Sequence, residues 1–137
     1  MPSYRTKDIR NIALVGHSGS GKTTLAEALL VKSGAKGEAG TVERGTTTMD
    51  HDPIEKTYQH SLESAMASLN YQGMHLNLID TAGIPDFRGP TLAAMTAVET
   101  TAIVVNAHSG IEQSTRRLMR RAKQRRLCRM IIINRID

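Results

Sequence analysis

Short runs of consecutive apolar residues recur along this chain. Residues 12–15, 102–105 and 130–133 are rich in β-branched side chains and contain no polar position. Such runs are typical of strands that are buried on both faces of a parallel sheet. We therefore predict three buried strands, and we expect the single cysteine, Cys128, to be a reduced thiol in the core beside the third strand.

Helical patterns lie between these runs. Three helices are predicted, over residues 23–32, 90–99 and 113–126. Gly34 ends the first, and Pro90 suits the first turn of the second. In the third, apolar side chains form one stripe and basic side chains cover the other faces. The alternation of strands and helices predicts an α/β fold with a mostly parallel sheet flanked by helices.

Two segments have less regular patterns. Residues 62–69 fit a short helix or a strand, and residues 76–79 read as a strand that follows a turn at Gln72 and Gly73. We predict a β-hairpin for this region. Residues 34–61 hold several glycines and threonines with little periodicity, and a connection of that length is usually functional or mobile.

A glycine-rich segment joins the first strand to the first helix and fits the pattern G-x-x-x-x-G-K-[ST]. Its glycines allow backbone N–H groups to face phosphate oxygens, and the start of the following helix favours the same anion. Lys22 would bind the outer phosphates, and the Thr23 hydroxyl would hold Mg²⁺. The loop alone suits ATP as well as GTP. The predicted phosphate-binding residues of this segment are Gly16, His17, Ser18, Gly19, Ser20, Gly21, Lys22, Thr23 and Thr24.

Two further polar patterns come directly after predicted strands. An acid at the end of a buried strand, here Asp80, can hold Mg²⁺ through water, and the N–H of Gly83 can meet the γ-phosphate. Asn134 and Asp137 suit guanine, because a carboxylate accepts from N1–H and the 2-amino group, which adenine does not present together. Each pattern is weak alone. The carboxyl ends of parallel strands share one edge of the sheet, so both patterns are expected at one site. Together they favour GTP over ATP.

Charge is concentrated near the end of the chain. The net charge is +5, and eight of the eighteen basic residues lie between Arg116 and Arg129, with no acid between Glu112 and Asp137. Such a cluster is either a phosphate-backbone contact or a solvated helix face. No run of eighteen apolar residues occurs, and residues 1–7 lack the apolar segment of a secretory signal, so we predict a cytoplasmic protein.

These motifs, in this order, resemble the N-terminal G domain of translational GTPases, and most closely elongation factor G and its divergent paralogues. The resemblance implies a P-loop NTPase fold, GTP or GDP with Mg²⁺ as ligands, and GTP hydrolysis that drives a conformational switch on the ribosome. It implies rRNA and ribosomal proteins as partners, no DNA or membrane partner, and a monomer in the full-length form. The implied base-binding residues are Asn134, Arg135 and Asp137, and the implied metal-binding residues are Thr23, Ser61 and, through water, Asp80.

The chain departs from the family motifs at several positions. Gly19 and Ser20 replace an Asp-Ala pair, Ser61 falls where the family has threonine, and Arg135 replaces lysine. Ile84 occupies the position of the histidine that orients the attacking water, so no catalytic residue is assigned. The alternative to a GTPase is a module that binds GTP and hydrolyses it negligibly.

Translational G domains continue beyond the N-x-x-D motif with another strand and helix. We therefore expect residues 1–137 to be the N-terminal portion of a GTP-binding domain, truncated after this motif and incomplete at the C-terminus. Apolar surface near Ile131 and Ile133 would then be uncovered, and such a fragment could be non-functional alone.

Three other polar sites have simpler interpretations. His17 is expected to position backbone. His108 and Ser109 suit a strand-to-helix turn, where no acid is spaced to orient a nucleophile. Residues 50–52 suit a solvated turn better than a metal cluster.

Overall fold

The computed structural model describes residues 4–42, 44–49, 64–83 and 88–136 of the 137-residue chain. Their elements are a 3₁₀ turn at Thr6–Asp8, β1 at Ile9–Val15, α1 at Lys22–Lys32, β2 at Ala65–Tyr71, β3 at Met74–Asp80, α2 at Arg88–Ala94, β4 at Thr100–Asn106, α3 at Gln113–Gln124 and β5 at Cys128–Asn134. No helix within these ranges has the length and apolar character needed to cross a membrane. The predicted α/β class is confirmed.

The strands form one sheet in the order β2-β3-β1-β4-β5. β3, β1, β4 and β5 are parallel to one another, whereas β2 pairs with β3 in the antiparallel sense. The predicted hairpin is confirmed, and its turn at Gln72 and Gly73 has positive φ at both residues, 48° and 79°, as two-residue hairpin turns favour. The parallel arrangement brings the carboxyl ends of four strands to one edge of the sheet.

Each face of the sheet packs against helices. One cluster holds Leu14, Leu78 and Ala102 of the sheet against Ala26 and Leu30 of α1. The other cluster joins the alternate sheet positions to α2, to the segment after α2 and to α3. Its buried residues are Ala13, Val15, Ile103, Val105, Met95, Val98 and Ala122, and Leu118 and Met119 of α3 pack against them. Successive strand residues face opposite sides, so the unbroken apolar runs of β1 and β4 supply both clusters.

The helices differ from their predicted bounds mainly at their ends. α1 begins one residue before the predicted start, and α3 ends at Gln124, two residues before the predicted end. α2 begins at Arg88 and ends at Ala94, well short of the predicted residue 99. After α2 the chain forms 3₁₀-type turns, with hydrogen bonds from Thr96 N to Ala93 O and from Ala97 N to Ala94 O.

The prediction that the third apolar run is buried on both faces was wrong, whereas the expectation of uncovered apolar surface near Ile131 and Ile133 is confirmed. Met130, Ile131 and Ile133 are 50%, 60% and 65% exposed, because β5 is the edge strand of the described sheet and pairs only with β4. The expectation of a core thiol was wrong for the same reason, since Cys128 is exposed at the start of β5.

Candidate functional site

The glycine-rich segment forms a loop between the end of β1 and the start of α1. Gly19 and Gly21 adopt left-handed φ values of 79° and 85°, which side chains with a Cβ rarely adopt. Ser20 is fully buried, and its N–H donates to the carbonyl of His17 at 3.3 Å. The Ser20 hydroxyl is buried with no hydrogen-bond partner among the described residues. The loop conformation therefore depends on glycine at positions 19 and 21, directly before the first turn of α1.

The ammonium group of Lys22 lies inside this loop. Its side chain is buried, and Nζ donates to the carbonyls of Gly16 at 3.3 Å and His17 at 3.0 Å. Burial lowers the pKa of Lys22 from its ordinary value, while the carboxylate of Asp80 acts in the opposite direction. A desolvated cation in a loop of backbone amides attracts anions strongly.

The end of β3 brings an acid to the same point. The Thr23 hydroxyl donates to Oδ2 of Asp80 at 2.5 Å, and Asp80 is 1% exposed. Strand β3 lies beside β1, with Asp80 in register with Leu14, so the sheet holds the carboxylate next to the start of α1. Two residues that are 57 positions apart in sequence, and that were both predicted to serve Mg²⁺, are thus in direct contact.

Gly83 packs closely against the loop. A Cβ at this position would lie 2.6 Å from Nζ of Lys22, 2.6 Å from the backbone nitrogen of Ser18 and 2.8 Å from the carbonyl carbon of His17. The preceding residues are held in place, since the Thr81 hydroxyl donates to Leu14 O at 2.8 Å. The glycine of the D-x-x-G pattern is therefore required by close backbone contact.

The last residue of β5, Asn134, contacts the phosphate loop. Nδ2 of Asn134 donates to the carbonyls of Ser20 at 3.0 Å and Gly21 at 3.5 Å. A Cβ on Gly21 would lie only 2.4 Å from the same nitrogen. Arg135 has a left-handed φ of 54°, which turns the chain just beyond the strand. Asn134 thus braces the phosphate loop through its amide nitrogen.

The other predicted site residues are either exposed or outside the described residues. Thr24 is exposed on the first turn of α1. Ser61, Ile84 and Asp137 lie outside the described residues, as do residues 50–52, so the roles expected for them stay predictions.

A cluster around His17 was not predicted from sequence. The ring is buried, with Nδ1 2.7 Å from the carbonyl oxygen of Ser18 and 3.1 Å from Oε1 of Glu112, and with Nε2 3.2 Å from Oγ of Ser109. The order serine, histidine, carboxylate resembles a nucleophilic triad, but Nδ1 lies nearer to the Ser18 carbonyl than to Glu112. The ring therefore serves as a brace between the phosphate loop and the segment that connects β4 to α3.

A second unpredicted residue is Glu27, which is 1% exposed in α1. Its carboxylate accepts from Lys36 Nζ at 2.7 Å, from Gly40 N at 2.9 Å and from the backbone N–H of Thr48. Burial raises the pKa of Glu27, but the hydrogen bonds from Lys36, Thr48 and Gly40 outweigh it and lower the pKa to about 2. The sequence signal was an acid on the same helical face as Ala26 and Leu30, where an apolar residue is expected.

Several known proteins are similar to this chain. Residues 7–137 match the family model described as the elongation factor Tu GTP binding domain. The chain is 40% identical over 129 residues to an elongation factor G-like protein of Mycobacterium tuberculosis (strain CDC 1551 / Oshkosh), covering 94% of this chain and 18% of that protein. It is 32% identical over 132 residues to ribosome-releasing factor 2, mitochondrial, of Yarrowia lipolytica, covering 96% of this chain and 16% of that protein.

A crystal structure of a Thermus thermophilus protein shares the same fold, with a TM-score of 0.91 and 41% sequence identity, over 94% of this chain and 20% of that one. This chain spans about a fifth of the length of the relatives it matches.

Proposed function

Because the chain belongs to the elongation factor Tu GTP-binding domain family, we propose that it binds GTP and GDP with Mg²⁺ and acts in an elongation factor G-like GTPase that hydrolyses GTP on the ribosome. The observation that carries the proposal is the contact between Thr23 and Asp80 beside the buried Lys22. This contact joins the two motifs that a phosphate-bound magnesium ion requires.

The chemistry of the loop fits a nucleotide phosphate. Left-handed glycines, a desolvated ammonium group and the orphaned hydroxyl of Ser20 surround the start of an eleven-residue helix. All of these features favour an anion with several oxygen acceptors. The residues that would bind the phosphates are Gly16, His17, Ser18, Gly19, Ser20, Gly21, Lys22, Thr23, Thr24, Asp80 and Gly83.

The donor set at the end of β3 fits Mg²⁺, which prefers oxygen ligands and keeps several waters. The Thr23 hydroxyl would coordinate the ion directly, Asp80 would hold it through water, and Ser61 would supply a further hydroxyl. When bound, Mg²⁺ neutralises charge on the phosphates during phosphoryl transfer. The close contact between Thr23 and Asp80 keeps both oxygens on one side of the loop.

Guanine would be bound by the turn after β5. Asn134, Arg135 and Asp137 are proposed to contact the base, with the Asp137 carboxylate accepting from N1–H and the 2-amino group. The bonds from Asn134 to the carbonyls of Ser20 and Gly21 support this assignment, because they fix the base-binding turn against the phosphate loop.

The ribosome is the proposed partner, through rRNA and ribosomal proteins. Support comes from the similarity to ribosome-releasing factor 2, mitochondrial, whose name assigns that relative a role at the ribosome. The protein is also proposed to be cytoplasmic, and its full-length form to act as a monomer.

A second candidate function is supported by the sequence at position 84. Isoleucine there offers the attacking water no polar group, so the protein could bind GTP as a switch and hydrolyse it negligibly. Both candidates require the same nucleotide site and differ only in turnover.

Titration with GTP and ATP in the presence of Mg²⁺, followed by single-turnover hydrolysis with and without ribosomes, tests the proposal. We expect GTP to bind at least about a hundredfold more tightly than ATP, because ATP leaves the polar groups of a guanine site unpaired. Equal affinity for the two nucleotides would refute guanine recognition. Tight GTP binding without ribosome-stimulated hydrolysis would favour the second candidate.

Asp137→Asn tests the base assignment directly. The variant should weaken GTP binding by about tenfold or more and should favour xanthosine triphosphate, whose 2-oxo group can accept from the new amide. Competition between GTP and xanthosine triphosphate measures this change in preference, with Asp8→Asn as the control. If the preference for GTP is unchanged, Asp137 does not contact the base.

A further inference from the structure

Helix α3 presents basic side chains to solvent that no part of the proposed nucleotide site uses. The exposed basic residues of α3 and the segment after it are Arg116, Arg117, Arg120, Arg121, Lys123, Arg125, Arg126 and Arg129. The side of α3 that contacts the sheet carries Thr115, Leu118, Met119 and Ala122. Helical geometry then places Arg117 and Gln124 on the opposite side, with Arg121 next to them on the flank that lies away from Arg116 and Lys123. We call these three residues the outer face.

The other basic side chains of the helix have a different setting. Arg116, Arg120 and Lys123 line a groove of about 460 Å³ between α3 and the sheet, together with Ile111 and Ile131. The outer face is therefore distinct from this groove. Arg116 and Lys123 offer a matched pair of charges on the same helix that does not belong to the outer face.

The described carboxylates do not neutralise these arginines. Among the described residues, the carboxylates that contact a basic side chain are those of Glu27, with Lys36, and Glu112, with the His17 ring. Glu112 is the nearest preceding acid in sequence, and its carboxylate lies 3.1 Å from His17. On the outer face, the Arg121 guanidinium donates to the uncharged Gln124, from Nη1 to Oε1 at 3.5 Å.

This arrangement of like charges does not stabilise helix α3. Like charges at i and i+4, such as Arg117 with Arg121 and Arg116 with Arg120, destabilise an isolated helix. The helix dipole favours basic residues only in the last turn, which includes Arg121 but not Arg117. Neither outer-face arginine is buried in the core, so both guanidinium groups are accessible to an external anion.

We propose that the outer face of α3 binds the phosphate backbone of double-stranded RNA. Arginine forms two parallel hydrogen bonds to a phosphate, which an ammonium group cannot do. The chain has one phenylalanine and no tryptophan, which favours backbone contact over stacking on unpaired bases. The identification of this RNA as ribosomal rests on the proposed function, whereas the contact itself does not require nucleotide.

Fluorescence anisotropy with a mixed-sequence RNA duplex, over a series of salt concentrations, tests the proposal. Arg117→Gln/Arg121→Gln should weaken binding and should reduce the slope of log Kd against log salt by about one for each arginine. The control Arg116→Gln/Lys123→Gln removes the same charge from the same helix and should leave most of the affinity. Circular dichroism verifies that both variants keep their helices.

An equal loss of affinity in the two double variants would overturn the proposal, because it would reveal a response to net charge alone. Binding to anionic phosphatidylglycerol vesicles that matches RNA binding, and that depends on the same two arginines, would also overturn it. GTP affinity is measured in parallel and should be unchanged in both variants. If the unmodified protein fails to bind GTP, the proposed function is refuted. If Arg117→Gln/Arg121→Gln still loses RNA binding and the control variant does not, the RNA contact is supported.

Discussion

Gly83 lies where the backbone after β3 meets the phosphate loop. Gly83→Ala should destabilise the protein by about 1–3 kcal/mol, the usual cost of overpacking, because its methyl group would lie 2.6 Å from both Lys22 Nζ and Ser18 N. Since Lys22 must move to relieve the contact, GDP affinity should also fall, by about tenfold or more.

Thermal unfolding and calorimetric titration with GDP measure the two effects of Gly83→Ala. Gly37→Ala is the control, because a methyl group there would meet no atom within 4 Å. If both variants bind GDP as tightly as the unmodified protein, the contact between Gly83 and the loop has no role in binding.

Ile84, which follows Gly83 in the sequence, is expected to limit the rate of GTP hydrolysis. Water-positioning groups typically contribute about 10²–10⁴-fold to such reactions, so we expect slow GTP turnover even on the ribosome. Ile84→His should accelerate hydrolysis and leave nucleotide affinity nearly unchanged. Single-turnover measurements with ribosomes test this.

Ile84→Ala separates two explanations of slow turnover. Alanine removes the bulk of isoleucine without adding a polar group, so it should remain slow if water orientation is the missing function. Acceleration by alanine as large as that by histidine would point to steric exclusion of water instead. Rapid turnover by the unmodified protein would mean that another residue positions the water.

At the scale of elements, Glu27 joins α1 to the first part of the long connection before β2. Its carboxylate binds Lys36, Gly40 and Thr48, and Lys36 Nζ also donates to the Thr48 hydroxyl at 2.9 Å. Met49, the next residue, is buried in the cluster beneath α1. Lys36, Gly40, Thr48 and Met49 are therefore attached to the same helix whose first turn follows the phosphate loop.

This attachment predicts a pH dependence of stability. The pKa of Glu27 falls to about 2 in the folded protein from an ordinary value of 4.5, so its ionised form stabilises the fold. That stabilisation is complete above pH 4.5 and is lost as the pH falls through about 2. Denaturant unfolding of the unmodified protein should therefore show a loss of stability over this range.

Glu27→Gln should cost about 2 kcal/mol at neutral pH, since it removes charged hydrogen bonds, and it should flatten the pH dependence between 4.5 and 2. Glu38→Gln removes an exposed carboxylate from the same segment and should leave the profile steep. A profile that is equally steep without Glu27 would assign the acid sensitivity to other groups.

At the scale of the whole molecule, β5 leaves an apolar edge. Ile131 and Ile133 are 60% and 65% exposed on one side of an edge strand, and such edges promote association. We expect this 137-residue chain to self-associate with rising concentration in sedimentation velocity, and Ile133→Lys to reduce association. Met66→Lys, on the strand at the opposite edge, is the control. A monomer at all concentrations would contradict this expectation.

Local patterns in the sequence determined much of this protein. The apolar runs predicted β1 and β4, the Gln72-Gly73 turn predicted the hairpin, and the glycine-rich pattern located the phosphate loop. These predictions succeed because each depends on residues that are close in sequence. The order of the motifs also predicted that Asp80 would lie beside Thr23, since the ends of parallel strands share one edge of the sheet.

Tertiary structure alone decided the rest. The burial of Cys128 and of both faces of β5 was mispredicted because an apolar run shows what a strand can bury and not which neighbours cover it, whereas the expectation of uncovered surface near Ile131 and Ile133 was confirmed. The bonds of Glu27 to Lys36, Gly40 and Thr48, and those of His17 to Ser109 and Glu112, join segments that no periodicity relates. A buried polar side chain is stable only where partners converge on it, and that convergence is a property of the folded chain.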